Sequence, residues 1–255
     1  MRADQLLVER GLALSRSQAQ RLIAAGVRWR WPGADWQRVS KNGEELQASV
    51  ELDVLDAAES RFVSRGGLKL DAALTHTGLV VAGLCCLDLG QSSGGFTDCL
   101  LRRGAALVLG VDVGQGQLHP SLRADARVRC LEKCNARELS AATLAPLLGP
   151  QETAAFDVIV GDLSFISQTL VWPAVVPLLR PGASLLMLVK PQFELQPEHI
   201  GKGGLVRQMA SYDRVRQRIE QACVVHGLRQ QAYFESAVTG ADGNREFFVW
   251  AKRPA

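Results

Sequence analysis

From about residue 62 onward, short apolar runs alternate with longer amphipathic segments, and this alternation restricts the possible fold more than any other feature. Apolar runs predicted as strands end at Leu89, Asp112, Leu131, Asp162 and Val189. A further strand pair is predicted near the end of the chain, over Ala232–Val238 and Phe247–Ala251. Helices are predicted over Phe96–Arg103, Ala136–Leu148, Ser167–Leu179 and Ser211–His226. Repeated strand–helix units favour a parallel, doubly wound α/β sheet.

Residues 1–60 have a different pattern and are predicted to form a separate small module. One short helix is expected over Ala3–Glu9, and a second begins at Ser15 and ends at Gly26. Ser15 and Gln18 have the spacing of a capping box, and a glycine commonly ends a helix. Alternating apolar residues between Leu46 and Leu55 indicate one or two strands.

Charge is distributed unevenly within this module. The first 41 positions carry eight Arg or Lys against three acids, whereas positions 42–60 carry six acids and no base. The net charge of the whole chain is only +3, which by itself is typical of many unrelated enzymes. A basic face on a helical module is consistent with RNA as the partner.

The six cysteines include no C-x-x-C pair and are interpreted as small apolar core residues of a reduced protein. A metal pair at Cys130 and Cys134 stays open as an alternative, although no second ligand pair lies nearby, and no metal is expected. The first 20 residues lack the apolar core of a signal peptide, and the apolar runs are too short to span a membrane. We therefore expect a cytoplasmic protein without a membrane partner.

The segment from Leu87 to Asp98 is predicted to be a buried strand, a glycine-rich turn and the start of a helix. Gly90 permits the tight turn, and Gly94 and Gly95 allow a ligand to approach the backbone at the helix N-terminus. The spacing matches neither the dinucleotide fingerprint nor a P-loop. It resembles motif I of Rossmann-like methyltransferases, D-x-G-x-x-x-G-G, and this resemblance implies S-adenosyl-L-methionine as the cofactor.

Two later strand ends extend the predicted cofactor site. Asp112 can accept hydrogen bonds from both ribose hydroxyls of an adenosine, and Asn135–Ala136 follows the third strand near the expected adenine edge. Turn capping is the alternative role for Asp88 and Asp112, and an NAD enzyme would use the same ribose acid. The predicted cofactor contacts are Asp88, Gly90, Ser92, Gly94, Gly95, Phe96, Asp112, Val113, Asn135, Ala136 and Asp162.

Charged residues next to apolar runs suggest a catalytic group: Lys69, Asp162, Lys190 and Glu246. Because ligands bind outside the carboxyl ends of strands in open α/β sheets, Asp162 and Lys190 are expected beside the cofactor loop. The alternatives are a strand-end turn for Asp162 and solvated surface charges for the other three.

The surrounding strings S-R-G-G-x-K, D-L-S-F-I-S and V-K-P-Q-F-E resemble those of RNA ribose 2'-O-methyltransferases. From Arg2 to about Lys252, the chain closely resembles the TlyA family, in which an S4 (α+β) RNA-binding domain precedes an FtsJ-like methyltransferase domain. The resemblance implies that Lys69, Asp162, Lys190 and Glu246 form a catalytic tetrad. It also implies an S4 domain over 1–60, a linker over 61–64 and a Rossmann-like domain over 65–255. The implied RNA contacts are Arg2, Ser15, Arg16, Arg21, Arg28 and Arg65.

The implied reaction is 2'-O-methylation of cytidine in 23S rRNA, with 16S rRNA as a further candidate and ribosomal subunits as partners of a monomer. Two features depart from the family. Gln115 stands where an aromatic residue is common, and Trp29 to Trp36 is longer than an S4 turn, either as an RNA-stacking surface or as a packed loop. A non-catalytic RNA-binding protein and a membrane-active haemolysin, a name also used in this family, are the alternative functions.

Overall fold

In a computed structural model, which describes residues 1–13, 15–54, 61–150, 152–240 and 243–255, the chain divides into two units. Met1–Leu68 forms the N-terminal unit and Lys69–Ala255 the C-terminal unit. The predicted linker over 61–64 falls inside the first of these, and the helix Arg65–Thr77 spans the division.

The N-terminal unit packs two helices, α1 (Ala3–Glu9) and α2 (Arg16–Gly26), beside a three-stranded antiparallel sheet. Its strands are β1 (Val27–Arg30), β2 (Gln37–Arg38) and β3 (Glu51–Val54) in the order β2-β1-β3. Leu6, Leu7 and Leu22 form part of its core. The strand predicted between Leu46 and Leu55 is shorter than expected, and Leu55 lies outside the described residues.

The C-terminal unit contains a seven-stranded sheet, which confirms the predicted α/β class. Its strands are β4 (Cys85–Leu89), β5 (Leu107–Val111), β6 (Val128–Leu131), β7 (Phe156–Gly161), β8 (Leu179–Val189), β9 (Arg229–Glu235) and β10 (Phe247–Lys252). Their order is β6-β5-β4-β7-β8-β10-β9. β4 to β8 run parallel, and β10 is antiparallel to both β8 and β9.

Helices flank this sheet: α3 (Arg65–Thr77), α4 (Gly95–Arg102), α5 (Pro120–Arg123), α6 (Ala141–Leu144), α7 (Trp172–Val175), α8 (Pro191–Glu194) and α9 (Met209–Val225). Leu87, Ile159 and Leu185, on three neighbouring strands, are fully buried in the main core. Burial on both faces explains why these strands are continuous apolar runs in the sequence.

Two predicted helices are wrong in extent. The segment Ala136–Leu148 contains only the four-residue α6 between 3-10 turns, and Ser167–Leu179 contains only the four-residue α7 between 3-10 turns. Pro146, Pro173 and Pro177 explain the interruptions, because proline lacks the amide hydrogen that a helix interior uses. Each segment therefore covers the sheet with short turns.

The direction of β10 brings its first residue to the edge of the sheet at which the parallel strands end. Parallel strands β4, β7 and β8 all end at one edge, and the pairing of Phe247 with Val189 places the start of β10 beside the end of β8. Residues that precede β10 therefore join residues that follow β7 and β8.

Candidate active site at the carboxyl edge of the sheet

The glycine-rich turn after β4 is shaped by close backbone contacts. Gly90 has a φ of +76°, and a Cβ at this position would lie 2.7 Å from the carbonyl oxygen of Asp162. Its amide donates to the carbonyl of Val111 over 2.9 Å, so the turn is tied to the neighbouring strand ends. Gly94, with a φ of +93°, is the N-cap of α4 and packs against Leu122. These positions need glycine for conformation and for space.

Asp112 holds the same turn from the end of β5. Its Oδ2 accepts a hydrogen bond from the amide of Ser92 over 2.7 Å, and its Oδ1 accepts one from the amide of Gly114 over 2.6 Å. The carboxylate is half-buried and lines a cavity. Asp112 therefore organises the cavity wall and still presents an acceptor at its surface.

The cavity has a volume of about 440 Å³ and lies at the ends of β4, β5, β6 and β7. Strand order changes direction between β4 and β7, and α/β sheets bind ligands at such a switch point. The lining residues are Gly90, Ser92, Val111, Asp112, Val113, Gln117, Cys134, Asn135, Ala136, Asp162, Leu163, Ser164, Phe165, Ile166 and Val171. A mostly apolar wall with a few convergent polar groups suits a nucleoside-sized ligand.

Most predicted cofactor contacts line this cavity, namely Gly90, Ser92, Asp112, Val113, Asn135, Ala136 and Asp162. Gly94, Gly95, Phe96 and Asp88 are buried and are not among the lining residues. Phe96 stacks on Phe248 with ring centroids 6.4 Å apart. These four residues lie in the glycine-rich turn or pack under it, and their contact with the cofactor stays a prediction.

Asp88 is completely buried under the glycine-rich turn. Its Oδ2 accepts a hydrogen bond from the Thr97 hydroxyl over 2.7 Å, which ties the end of β4 to the first turn of α4. Burial raises the pKa of Asp88 to about 7, and the hydrogen bond from Thr97 opposes that rise. Turn support, the alternative considered from the sequence, describes its contacts.

Lys69 and Glu246 form a buried ion pair. The Lys69 Nζ donates to Glu246 Oε2 over 2.5 Å, and both side chains are less than one-tenth exposed. Burial raises the pKa of Glu246, and the charge of Lys69 opposes this shift. The surface-charge alternative for these two residues is therefore wrong.

Lys190 and Asp162 form a second pair at the ends of β8 and β7. The Lys190 Nζ lies 2.7 Å from Asp162 Oδ1, and Asp162 also lines the cavity. The charges of Lys190 and Asp162 both act on Glu246, so the two ion pairs form one electrostatic group. The structure therefore brings the four predicted catalytic residues into one group, of which Asp162 lines the cavity.

Phe165 was not singled out from the sequence. Its side chain is 91% exposed at the cavity, and its φ of +63° is unusual for an aromatic residue. The ring lies 5.1 Å from that of Phe193, which follows Lys190 on α8. The D-L-S-F-I-S string contained this residue, but its exposure depends on the turn after β7.

Two of the predicted RNA contacts on the N-terminal unit, Arg2 and Arg16, bond to the same carboxylate. Asp4, fully buried, accepts from Arg2 Nε over 3.0 Å and from Arg16 Nη2 over 3.2 Å. The hydrogen bond from Arg2 contributes most to holding the pKa of Asp4 well below its usual range. The side chains of Arg2 and Arg16 remain exposed.

The other predicted RNA contacts have varied surroundings. The Ser15 hydroxyl accepts from the amide of Gln18 over 3.2 Å, so it serves as the N-cap of α2. Arg28 pairs with Asp53 over 2.5 Å. Arg21 and Arg65 are half-buried, and Arg65 lies in the first turn of α3.

The two departures from the family pattern lie outside the cavity. Gln115 is exposed and is not among the lining residues. Trp29 packs against the N-terminal core and meets Trp31 edge to face at 6.4 Å, while the Arg30 guanidinium lies 4.4 Å above Trp36. The packed-loop alternative fits Trp29, whereas Trp31 is exposed.

Among the described residues, there is neither a membrane-spanning helix nor a metal-binding cluster. Within the described ranges, no helix is both long enough and apolar enough to cross a membrane. In the same part of the chain, no group of three or more His, Cys, Asp or Glu is arranged to hold a metal ion, so the Cys130–Cys134 alternative gains no support.

The cavity at the strand-order switch and the reversed strand β10 place this chain in the class of Rossmann-like methyltransferases. A family model described as FtsJ-like methyltransferase matches residues 62–253, and an S4 domain model matches residues 1–26. The chain therefore belongs to the FtsJ-like methyltransferase family.

Individual relatives agree with this assignment. The chain is 40% identical to the 16S/23S rRNA (cytidine-2'-O)-methyltransferase TlyA of Mycobacterium tuberculosis, over 98% of this chain and 89% of the relative. It is 32% identical to Hemolysin A of Brachyspira hyodysenteriae, over 98% of each. A solved structure from Streptococcus thermophilus, described as a hemolysin, aligns with a TM-score of 0.76 at 35% identity, covering 100% of this chain and 88% of that one.

Proposed function

We propose that this protein transfers a methyl group from S-adenosyl-L-methionine to the ribose 2'-hydroxyl of a cytidine in ribosomal RNA. The main observation behind this proposal is that Asp162 lines the cavity and pairs with Lys190, and that the charges of both act on Glu246 of the buried Lys69–Glu246 pair. The name of the M. tuberculosis relative supports cytidine in 16S and 23S rRNA as the acceptor. We propose 23S rRNA as the principal substrate and 16S rRNA as the second one to test.

The cavity fits the proposed methyl donor. Asp112 would accept hydrogen bonds from the ribose hydroxyls, and Asn135 and Ala136 would border the adenine. Gly90 lines the cavity without a side chain, so a ligand can approach its backbone closely. When bound, S-adenosyl-L-methionine would supply a methyl group activated by a positively charged sulfur.

The charged residues would act on the acceptor. Lys190 would hold the ribose oxygen and, in its neutral form, would take the hydroxyl proton, while Asp162 orients the lysine amine. Lys69 and Glu246 would stabilise this arrangement from the buried side. Much of the rate increase would come from alignment, since well-placed reactants avoid the entropy cost of a bimolecular encounter.

Two surface features support a structured RNA as the acceptor. Arg2 and Arg16 are held on Asp4 and stay exposed, as phosphate contacts would require. Phe165 offers an exposed aromatic face at the cavity mouth, where an unstacked base could pack. We propose that the protein works as a monomer in the cytoplasm, where ribosomal subunits are its partners, and that it needs no metal.

The proposal is tested with purified full-length protein, radiolabelled S-adenosyl-L-methionine, and ribosomal subunits or deproteinised rRNA. Label is expected in RNA, within dinucleotides that resist alkaline hydrolysis, because a 2'-O-methyl group blocks cleavage of the adjacent phosphodiester. A protein that binds the methyl donor but labels neither subunits nor rRNA would instead be a non-catalytic ribosome-binding protein. Leakage of dye from liposomes caused by the pure protein would favour the haemolysin alternative.

A further inference from the structure

The amine of Lys190 has a second polar partner, which the four-residue catalytic group does not include. Lys190 Nζ donates a hydrogen bond to the hydroxyl of Ser164 over 2.8 Å, in addition to its 2.7 Å contact with Asp162. Ser164 and Asp162 both belong to the segment that follows β7, and both line the cavity. One turn of chain thus holds the lysine amine from two sides.

The tetrahedral geometry of an amine gives this arrangement a consequence. Besides its bond to Cε, the nitrogen has three directions, which carry three hydrogens when it is charged or two hydrogens and a lone pair when it is neutral. The Ser164 hydroxyl takes one of these directions as a hydrogen-bond acceptor, whereas Asp162 lies beside the amine as an ion-pair partner whose Oδ1 makes no hydrogen bond. A direction that Ser164 does not take is available to a ribose oxygen, to which the amine would donate a hydrogen or from which its lone pair would receive the hydroxyl proton.

We propose that Ser164 is a positioning residue for methyl transfer, because its hydroxyl fixes the rotation of the Lys190 amine and so the direction that the amine presents to the ribose oxygen. This inference rests on the proposed function. Without the hydroxyl, the amine keeps Asp162 as a partner but can rotate about its terminal carbon bond. Small misplacements of a reacting group can lower a rate by about 100-fold.

The turn that carries Ser164 is itself held in place. The next residue, Phe165, has a left-handed backbone with a φ of +63° and meets Phe193 at 5.1 Å. Two residues further, the Ser167 hydroxyl donates to Glu194 Oε2 over 2.5 Å, and the amide of Gln168 donates to Glu194 Oε1 over 2.9 Å.

The ring contact and the two hydrogen bonds join the segment after β7 to the segment after β8. Glu194 is only 4% exposed, and burial raises the pKa of its carboxyl group against the hydrogen bond from Ser167. Because these hydrogen bonds tie the two segments together, they restrict movement of Ser164 relative to Lys190. A strained backbone at such a site is consistent with a functional constraint.

The kinetic test compares wild type, Ser164→Ala and Ser164→Thr in labelling of rRNA from S-adenosyl-L-methionine. Ser164→Ala is expected to lower kcat by roughly 10- to 100-fold, with KM for RNA and Kd for the methyl donor within about twofold of wild type. Ser164→Thr keeps the hydroxyl and is expected to stay within about threefold of wild type. Ser121→Ala, at an exposed serine whose hydroxyl contacts His119, is the matched control.

Three kinetic results would overturn the inference. The first is an unchanged kcat in Ser164→Ala, and the second is a loss that appears equally in the Kd of the methyl donor. The third is a kcat of Ser164→Thr as low as that of Ser164→Ala, because the presence of a hydroxyl would then not determine the rate.

A measurement that needs no activity separates this inference from the proposed function. In ¹H–¹⁵N spectra of lysine side chains, a hydrogen-bonded Lys190 amine gives an ordered signal, assigned by its loss in Lys190→Arg. The signal is expected to shift or broaden in Ser164→Ala and to persist in Ser164→Thr. If wild type labels no RNA but the signal responds in this way, the proposed function fails and the positioning contact stands. An absent wild-type signal, or one that Ser164→Ala leaves unchanged, overturns the positioning role even in an active enzyme.

Discussion

The amine of Lys69 donates to the carboxylate of Glu246 over 2.5 Å, although 177 positions separate the two residues in the chain. Both side chains are buried, so either charge would be left without its partner if the other were removed. Removing one partner of a buried ion pair typically costs about 3 to 5 kcal/mol of stability, whereas replacing both with apolar residues is often neutral.

This pair therefore allows stability and catalysis to be separated. Glu246→Ala is expected to lower the free energy of unfolding by about 3 kcal/mol, measured by urea denaturation. The double variant Lys69→Met with Glu246→Leu should recover most of that stability while rRNA labelling stays lost. A double variant that regains labelling as well would show that the pair has only a structural role.

Asp112 is expected to control affinity for the methyl donor. Asp112→Ala removes the acceptor for the ribose hydroxyls and also frees the amides of Ser92 and Gly114. Charged hydrogen bonds contribute about 1.5 to 3 kcal/mol, so Kd for S-adenosyl-L-methionine should rise by roughly 10- to 100-fold in calorimetric titrations. Asp125→Ala, which removes a half-buried acid paired with Arg127 outside the cavity lining, is the control and should bind normally. Equal affinity of both variants would exclude the predicted role of Asp112.

Phe165 is expected to act on the RNA and not on the methyl donor. Stacking of a base on an aromatic side chain is worth about 1 to 3 kcal/mol, so Phe165→Ala should lower kcat/KM for rRNA by roughly 10-fold or more. Phe165→Trp should retain most of the activity because it keeps an aromatic face. Since the ring is 91% exposed, thermal unfolding should change little in either variant. An alanine variant with full kcat/KM would rule out stacking.

The raised pKa of Asp88 predicts that the stability of the protein depends on pH. Its pKa is about 7 in the folded protein and about 4 when unfolded, so folding favours the protonated carboxyl group. The stabilising contribution is complete below about pH 4 and is lost as the pH rises toward 7. Relative to Asp88→Asn, wild type should therefore lose about 3 kcal/mol of unfolding free energy between pH 5 and pH 8. Urea denaturation of both proteins at the two pH values checks this, and a difference that does not change with pH would contradict it.

The sequence predicted the sheet and much of the site because strand ends in a parallel sheet share one edge. Asp162 and Lys190 could be placed beside the cavity by this rule alone. Glu246 could not, because it precedes β10, and only the antiparallel direction of that strand brings it to the same edge. Its role came from the resemblance to a known family.

Other features of the site depend on three-dimensional contacts that a linear pattern does not express. The ring of Phe96 packs on that of Phe248, which the sequence did not indicate, and its contact with the cofactor stays a prediction. Ser164 and Phe165 lay within a recognised motif, yet their orientations depend on a positive φ at Phe165, which an aromatic residue gives no reason to expect.

Lys190 provides the most direct test of the central claim. Wild-type and Lys190→Ala proteins are incubated with S-adenosyl-L-methionine and rRNA, and the digested RNA is searched for 2'-O-methylcytidine by mass spectrometry. Wild type should form this nucleoside, and Lys190→Ala should form at least about 100-fold less while binding the methyl donor with unchanged affinity. Formation of 2'-O-methylcytidine at the wild-type rate by Lys190→Ala, or methylation of a base in place of the ribose by wild type, would contradict the assignment.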